Sequence, residues 1–235
     1  LYLRPMGAEL RQIWKLGWPA SAQLVLRVVS VLVLLMLLNV QYTSRADQTA
    51  LTAFSVCLRL ETMVLFVGMG WGAAASSFVG TNLGAGKLAR AKMAGWVTAL
   101  FNFVGMGALA YVYVAFADPI IAFFDPDPEV VAIGREYLRV VAPTYAVFGF
   151  GVVLSQAMAG AGATFESLVL DAIVLLGVVL PAAYFVAVMQ GLPRQALWQV
   201  VAWGNVLSAA ASLLYSARGR FLQVSTPWVL LARAF

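Results

Sequence analysis

The 235-residue sequence has no histidine, a single cysteine and few charged side chains. The absence of histidine removes the commonest metal ligand and the usual carrier of a proton near neutral pH. Cys57 alone cannot form an intrachain disulfide, so the cysteine content does not indicate a redox compartment. Charged residues make up 11% of the chain, against about 25% in soluble domains, and this excludes a soluble protein with an ordinary surface.

Hydrophobic residues account for 63% of the chain, and the mean hydropathy is +0.89. This composition predicts an all-α integral membrane protein. Six apolar runs have the length of about 20 residues that a helix needs to cross a bilayer core, and none shows the two-residue alternation of a barrel strand. The predicted spanning helices cover residues 16–40, 50–79, 91–117, 137–159, 167–189 and 197–217.

The distribution of charge predicts the orientation of these helices. The net charge is +5, but the basic residues stand at segment ends, which favours membrane anchoring over nucleic-acid binding. Lysine and arginine concentrate on the side of both termini, whereas the acidic loop at 125–129 lies on the other. The positive-inside rule therefore predicts a multi-pass protein of the plasma membrane, the bacterial inner membrane, with both termini cytoplasmic. Residues 218–235 are too short to span and are expected to form a cytoplasmic or interfacial tail.

A glycine-rich stretch, FVGTNLGAGKLARAKMAGW, joins the second and third runs. A phosphate-binding P-loop has the pattern G-x-x-x-x-G-K-[ST] between a strand and a helix. Here Thr81 stands at the first glycine position, Leu88 stands at the Ser/Thr position, and a membrane helix precedes the turn. A nucleotide site is therefore excluded. The glycines instead predict a turn that ends a helix, and Lys87, Arg90 and Lys92 hold that turn on the cytoplasmic side.

The string VGTNLGAG at Val79–Gly86 resembles the turn after the second helix in each half of the MATE (multidrug and toxic compound extrusion) transporters, with Thr81 in place of the usual glutamine. Three more stretches resemble that family, and the likeness runs from residue 9 to about 217. These are WKLGWPAS at Trp14–Ser21, MAGAGAT at Met158–Thr164 and VVLPAAYF at Val178–Phe185. The resemblance implies one six-helix half of a twelve-helix, two-lobed transporter. Cytoplasmic termini suit the C-terminal half, so a missing N-terminal six-helix half is expected as its partner, and the chain is expected to be a piece of a longer polypeptide.

The same resemblance implies a secondary active exporter of small organic, cationic compounds, working as a proton- or sodium-coupled antiporter by alternating access. No organic cofactor and no resident metal are expected. The alternative is a flippase for lipid-linked oligosaccharide, or a polysaccharide exporter, of the same wider superfamily. A flippase would need several arginines facing the cavity to bind the pyrophosphate of its substrate. An enzyme is not expected, because the sequence offers no metal cluster and no carboxylate pair at one depth.

Five residues are candidates for binding substrate or ion: Glu61, Arg27, Arg59, Asn102 and Gln156. Glu61 and Arg27 each lie about 17 Å from the start of their predicted helices, near the middle of a ~30 Å core, so an ion pair between them is expected. Arg59 is two residues from Glu61 and points away from it. The pair could join two helices, or Glu61 could carry a proton or cation; both interpretations stay open.

Two departures from the family bear on the coupling ion. The sodium-coupled branch has an acidic residue about where Arg27 stands and an aspartate where Ala163 stands, so the resemblance favours proton coupling here. Asp171 falls about one turn inside the cytoplasmic end of the fifth run and is expected at the membrane interface.

Overall fold

The computed structural model describes residues 7–42 and 48–218, and these form helices without strands. The α-helices of the described ranges are α1 (Gly7–Tyr42), α2 (Thr49–Gly84), α3 (Leu88–Ala115), α4 (Ala117–Phe124), α5 (Pro128–Val141), α6 (Tyr145–Gly160), α7 (Thr164–Val174), α8 (Leu180–Tyr184) and α9 (Arg194–Ala217). A 3₁₀ turn at Ala142–Thr144 joins α5 to α6, and π-helical turns at Leu175–Val179 and Phe185–Met189 follow α7 and α8.

Six of these segments are long and apolar enough to cross a membrane, which confirms the all-α, six-span prediction. The spans are Ile13–Tyr42, Thr49–Gly84, Leu88–Ala115, Pro128–Gly160, Thr164–Met189 and Arg194–Ala217. Of the predicted tail, only Arg218 falls within the described residues.

The fourth span begins at Pro128, nine residues before the predicted start at 137. The reason is visible at its N-terminus, where the Asp127 carboxylate accepts a hydrogen bond from the Glu129 N–H at 2.8 Å and Pro128 occupies the first helical position. Because α5 carries Glu129, Arg135 and Glu136, its first turns do not look apolar in the sequence. The residues before 137, which the sequence places outside the fourth span, therefore form a capped amphipathic helix that leads into it.

The glycine-rich turn ends α2 as predicted. The Lys87 N–H donates to the Asn82 carbonyl at 2.8 Å, and Gly86 adopts a φ of 71°, a left-handed conformation that glycine accommodates without strain. The turn at 84–88, the turn at 160–164 and the end of α9 at Ala217 define what we call the basic side of the bundle. The connections at 124–128 and 189–194 define the opposite, acidic side.

Helix α6 occupies the centre of the bundle and packs against α2, α3 and α9. Its approach to α2 is close because small residues meet: a Cβ on Gly160 would lie 2.4 Å from the Ser76 carbonyl oxygen. Helix α1 is peripheral, since it packs mainly against α7 and the segment that follows it and leaves most of its apolar side chains exposed. Helix α1 is thus loosely packed against the rest of the bundle.

Candidate functional site

Glu61 lies in α2 and is held by two tyrosines from the fourth span. The Tyr137 hydroxyl donates to Glu61 Oε1 at 2.7 Å, and the Tyr145 hydroxyl approaches the same oxygen at 3.4 Å. Glu61 is half-buried, whereas both tyrosines are buried. Among the residues that the structure describes, no lysine or arginine forms an ion pair with this carboxylate. The Glu61 cluster is therefore a membrane carboxylate satisfied by neutral hydroxyl donors.

Aromatic rings enclose the Glu61 cluster on the bundle side. Trp198 of α9 packs edge-on against Tyr137, with ring centroids 4.9 Å apart, and stacks on Phe54 at 5.4 Å. Tyr113 of α3 meets Tyr145 edge-on at 6.3 Å. This wall fixes the orientation of both hydroxyl donors, because buried rings in contact have little rotational freedom.

Arg27 lies in α1 and forms an ion pair with Asp171 of α7. Arg27 Nη2 and Nε donate to Asp171 Oδ2 at 2.6 and 2.9 Å. The side chain of Asp171 is 4% exposed and that of Arg27 is 23% exposed. The Arg27 guanidinium also lies 5.7 Å from the centre of the Phe148 ring. The pair is a charge-neutral contact between α1 and the rest of the bundle.

Four further polar side chains complete what we call the Asp171 cluster. Gln23 Nε2 donates to Asp171 Oδ2 at 2.7 Å, and the Ser208 hydroxyl donates to Oδ1 at 3.3 Å. The hydroxyls of Ser155 and Ser167 are hydrogen-bonded to each other, and Gln23 reaches both. The cluster therefore joins α1, α6, α7 and α9 at one level of the membrane.

The expected ion pair between Arg27 and Glu61 is wrong, because the two residues lie at different depths. Tyr145, beside Glu61, and Ser155, in the Asp171 cluster, are ten residues apart on α6, which is about 15 Å along the helix. On α2, Glu61 lies twelve residues, or about 18 Å, from the acidic-side start at Thr49, and Trp198 stacks on Phe54, which is seven residues closer to that start.

The expected interfacial position of Asp171 is also wrong. Helix α7 begins at Thr164, three residues before the predicted start, so Asp171 is seven residues, or about 10 Å, inside it. Its carboxylate is buried and paired. Trp18 packs on Phe165 with ring centroids 5.9 Å apart, which is a second contact between α1 and α7.

The other three candidates do not join either cluster. Arg59 is exposed, makes no ion pair with a described acidic residue and lies closer to the acidic side than Glu61. Asn102 is fully buried against Gly149, and neither of its amide atoms has a hydrogen-bond partner among the described residues. Gln156 packs over Gly72, where α2 and α6 come together. Among the described residues, no hydrogen bond or ion pair joins any two of the five candidates.

Sequence reasoning missed the partners of both carboxylates. Neither Tyr137 nor Tyr145 is among the five candidates. Their spacing gave no clear signal, because eight residues leave two positions about 80° apart on a regular helix and a 3₁₀ turn at Ala142–Thr144 lies between them. The serines of the Asp171 cluster gave no signal, because serine is common in packed membrane helices.

The family model MatE matches residues 24–185. The chain belongs to the MatE family. The match runs from α1 through the first residue of the last π-helical turn and so includes Arg27, Glu61 and Asp171. This confirms the resemblance that the sequence suggested.

Two bacterial relatives extend the similarity over nearly the whole chain. A probable multidrug resistance protein NorM of Deinococcus radiodurans is 29% identical over 227 residues, covering 94% of this MatE chain and 48% of the relative. A probable multidrug resistance protein YpnP of Bacillus subtilis is 26% identical over 217 residues, covering 92% and 47%. A FAD transporter of Shewanella oneidensis is 31% identical over 137 residues, covering 58% of this chain and 30% of that protein. The MatE chain spans about half the length of the first two.

Solved structures share the fold. The Vibrio cholerae MATE transporter VcmN in its bent form has a TM-score of 0.82 at 19% identity, covering 96% of this chain and 49% of that one. An inward-facing MATE family transporter of the MOP superfamily gives a TM-score of 0.75, covering 95% and 51%. The MatE chain is thus a six-span membrane unit of a transporter family, and the named functions of its relatives agree with the expectation that it is not an enzyme.

Proposed function

We propose that this chain forms half of a proton-coupled exporter of small organic compounds, in which Glu61 takes up and releases the coupling proton. The relatives named as multidrug resistance proteins support the export of organic compounds. Two six-helix units would enclose the substrate and expose it alternately to the two sides of the membrane. The basic side would face the cytoplasm of a bacterial cell, in keeping with the positive-inside rule.

The observation that carries the proposal is the contrast between the two membrane carboxylates. Asp171 has a guanidinium partner at 2.6 Å, whereas Glu61 has only hydroxyl donors and no cation among the described residues. A charged carboxylate in a membrane is costly without a counter-ion, and a proton removes that cost. Because Glu61 is half-buried, a proton can reach it without dismantling the aromatic wall.

The surroundings of Glu61 support a proton better than a sodium ion. Within residues 7–42 and 48–218 there is no group of three or more aspartate, glutamate or cysteine side chains that could hold a metal ion. A sodium site would need several more oxygen ligands than one carboxylate and two tyrosines provide. Arg27 and Ala163 also stand where the sodium-coupled branch has acidic residues.

A second candidate function is the export of FAD or a similar dinucleotide. It is supported by the relative named as a FAD transporter, which is 31% identical over 137 residues. The flippase alternative gains no support, because Arg27 is neutralised by Asp171 and Arg59 lies toward the acidic side. Cationic drugs and anionic dinucleotides are readily distinguished by assaying both as substrates.

The experiment is an efflux assay with Glu61→Gln introduced into the gene in its natural context. Cells loaded with ethidium are energised, and loss of fluorescence is followed before and after nigericin collapses the pH gradient; release of FAD is measured in parallel. We expect the wild type to export in a gradient-dependent manner and Glu61→Gln to lose at least tenfold of that rate, since glutamine keeps the shape but carries no proton.

Glu129→Gln is the matched control, because Glu129 is an exposed carboxylate at the start of α5. It should export at the wild-type rate. If Glu61→Gln still exported at the wild-type rate and still depended on the pH gradient, Glu61 would have a structural role and would not carry the proton. An export rate that depends on the sodium gradient and is unaffected by nigericin would show that sodium, and not the proton, is the coupling ion.

A further inference from the structure

An open groove of about 500 Å³ lies on the basic side, between the first two turns of α3 and the end of α9. It is lined by Ala89, Lys92, Met93, Trp96 and Ala217. The four α3 residues follow the i, i+3, i+4, i+7 spacing of one helix face, so the groove runs along α3. It is remote from both carboxylates and takes no part in the proposed export.

Lys92 supplies a cation with unused hydrogen-bonding capacity at this groove. Its amine lies 3.5 Å from the Ala217 carbonyl oxygen, a long contact for a group with three donors. Lys87, Arg90 and Arg218 are exposed at the same ends of α3 and α9. None of the described residues that line the groove is acidic. The site is therefore complementary to an anion.

The lower part of the groove is apolar and continues into the membrane. Met93, Val97 and Leu100 form an exposed stripe along α3 below Lys92, and Trp96 lies beside it with its ring edge against Phe150 at 5.9 Å. Tryptophan and lysine at this depth are typical of the boundary between headgroups and acyl chains. The groove thus combines an anion-binding end with a hydrocarbon-binding end in the order that a lipid requires.

We propose that the groove binds an anionic glycerophospholipid, with its phosphate on Lys92 and an acyl chain along Met93, Trp96 and Val97. A free phosphate would use only the upper part, and a zwitterionic lipid would place its own cation among the basic residues. The bound lipid would fill the space between α3 and α9 at the membrane boundary.

The proposal is tested by native mass spectrometry of the intact protein, released from detergent in the presence of phosphatidylglycerol, phosphatidylcholine or inorganic phosphate. We expect one phosphatidylglycerol to bind with clear preference. Lys92→Ala should lower its association constant roughly fivefold, the effect of about one lysine on an anionic lipid, and Lys92→Arg should retain it. Lys15→Ala is the matched control, because Lys15 is an exposed basic residue of α1, away from the groove.

Four outcomes would overturn the proposal. If Lys92→Ala and Lys15→Ala lowered the association constant equally, the lipid would be attracted by positive charge in general and not by a site at Lys92. If inorganic phosphate bound as tightly as phosphatidylglycerol, the acyl chains would contribute nothing to binding. If phosphatidylcholine bound as tightly, the negative charge of the lipid would not matter. If removal of residues 219–235 increased lipid binding, that segment of the chain, and not a lipid, would be the natural occupant of the groove. A thermal melt of each variant separates these results from misfolding.

Discussion

At the scale of single residues, Asp171 and Glu61 differ in what neutralises them. Asp171 accepts hydrogen bonds from Arg27, Gln23 and Ser208, so its charge is fully compensated. Glu61 shares one oxygen between two tyrosine hydroxyls. A compensated carboxylate fits the joining of helices, whereas an uncompensated one fits the exchange of a proton.

The Arg27–Asp171 pair should therefore behave as a structural contact. Asp171→Ala leaves the Arg27 guanidinium without its partner inside the membrane, and we expect a loss of about 3–5 kcal/mol of stability. The double variant Arg27→Leu, Asp171→Leu removes both charges and should recover most of that loss. Thermal melting of the detergent-solubilised protein measures both. Equal destabilisation by the single and double variants would contradict a charge-based role.

At the scale of elements, the contact of α2 with α6 depends on glycine. A Cβ at position 160 would lie 2.4–2.8 Å from the backbone of Ser76, whereas a Cβ at Gly70, also in α2, would meet nothing within 4 Å. Backbone atoms cannot yield as a flexible side chain can. The two glycines therefore have opposite tolerance for alanine, although the sequence around them is similarly rich in small residues.

We expect Gly160→Ala to push α6 away from α2 and to cost about 1–3 kcal/mol, as overpacking in a close-packed core does. Gly70→Ala is the control and should be neutral or slightly stabilising, because alanine favours the helix. Melting temperatures of the two variants, measured in one detergent, test this difference. A tolerated Gly160→Ala with a damaging Gly70→Ala would contradict the packing described for these helices.

The elements also show how far the sequence could be interpreted. The six spans follow from apolar length alone, and the end of α2 follows from the glycines at 84 and 86, because both are local signals. The start of the fourth span at Pro128 was missed, since a capped amphipathic helix looks like a polar loop. The partners of Arg27 and Glu61 could not be found by counting residues, because the relative shift of helices along the membrane depends on tertiary contacts between helices.

At the scale of the whole molecule, the two polar clusters stand at different heights in a bundle whose fold is that of half a MATE transporter. The Glu61 cluster lies nearer the acidic side and the Asp171 cluster nearer the basic side, about 15 Å apart along α6. In the proposed exporter the acidic side faces outward, and Glu61 would exchange the coupling proton with the outer solution. The Asp171 cluster would meanwhile keep α1 attached to α7 and α9.

The most direct test of this account is to observe the proton on Glu61 itself. Infrared difference spectra of the reconstituted protein, recorded between alkaline and acidic solution, report the carboxylic acid C=O band of each group that gains a proton. We predict a band that is absent in Glu61→Gln, shifts in Tyr137→Phe because a hydrogen bond is lost, and persists in Glu129→Gln. A wild-type spectrum without a band assignable to Glu61 would contradict the claim that this carboxylate carries the coupling proton.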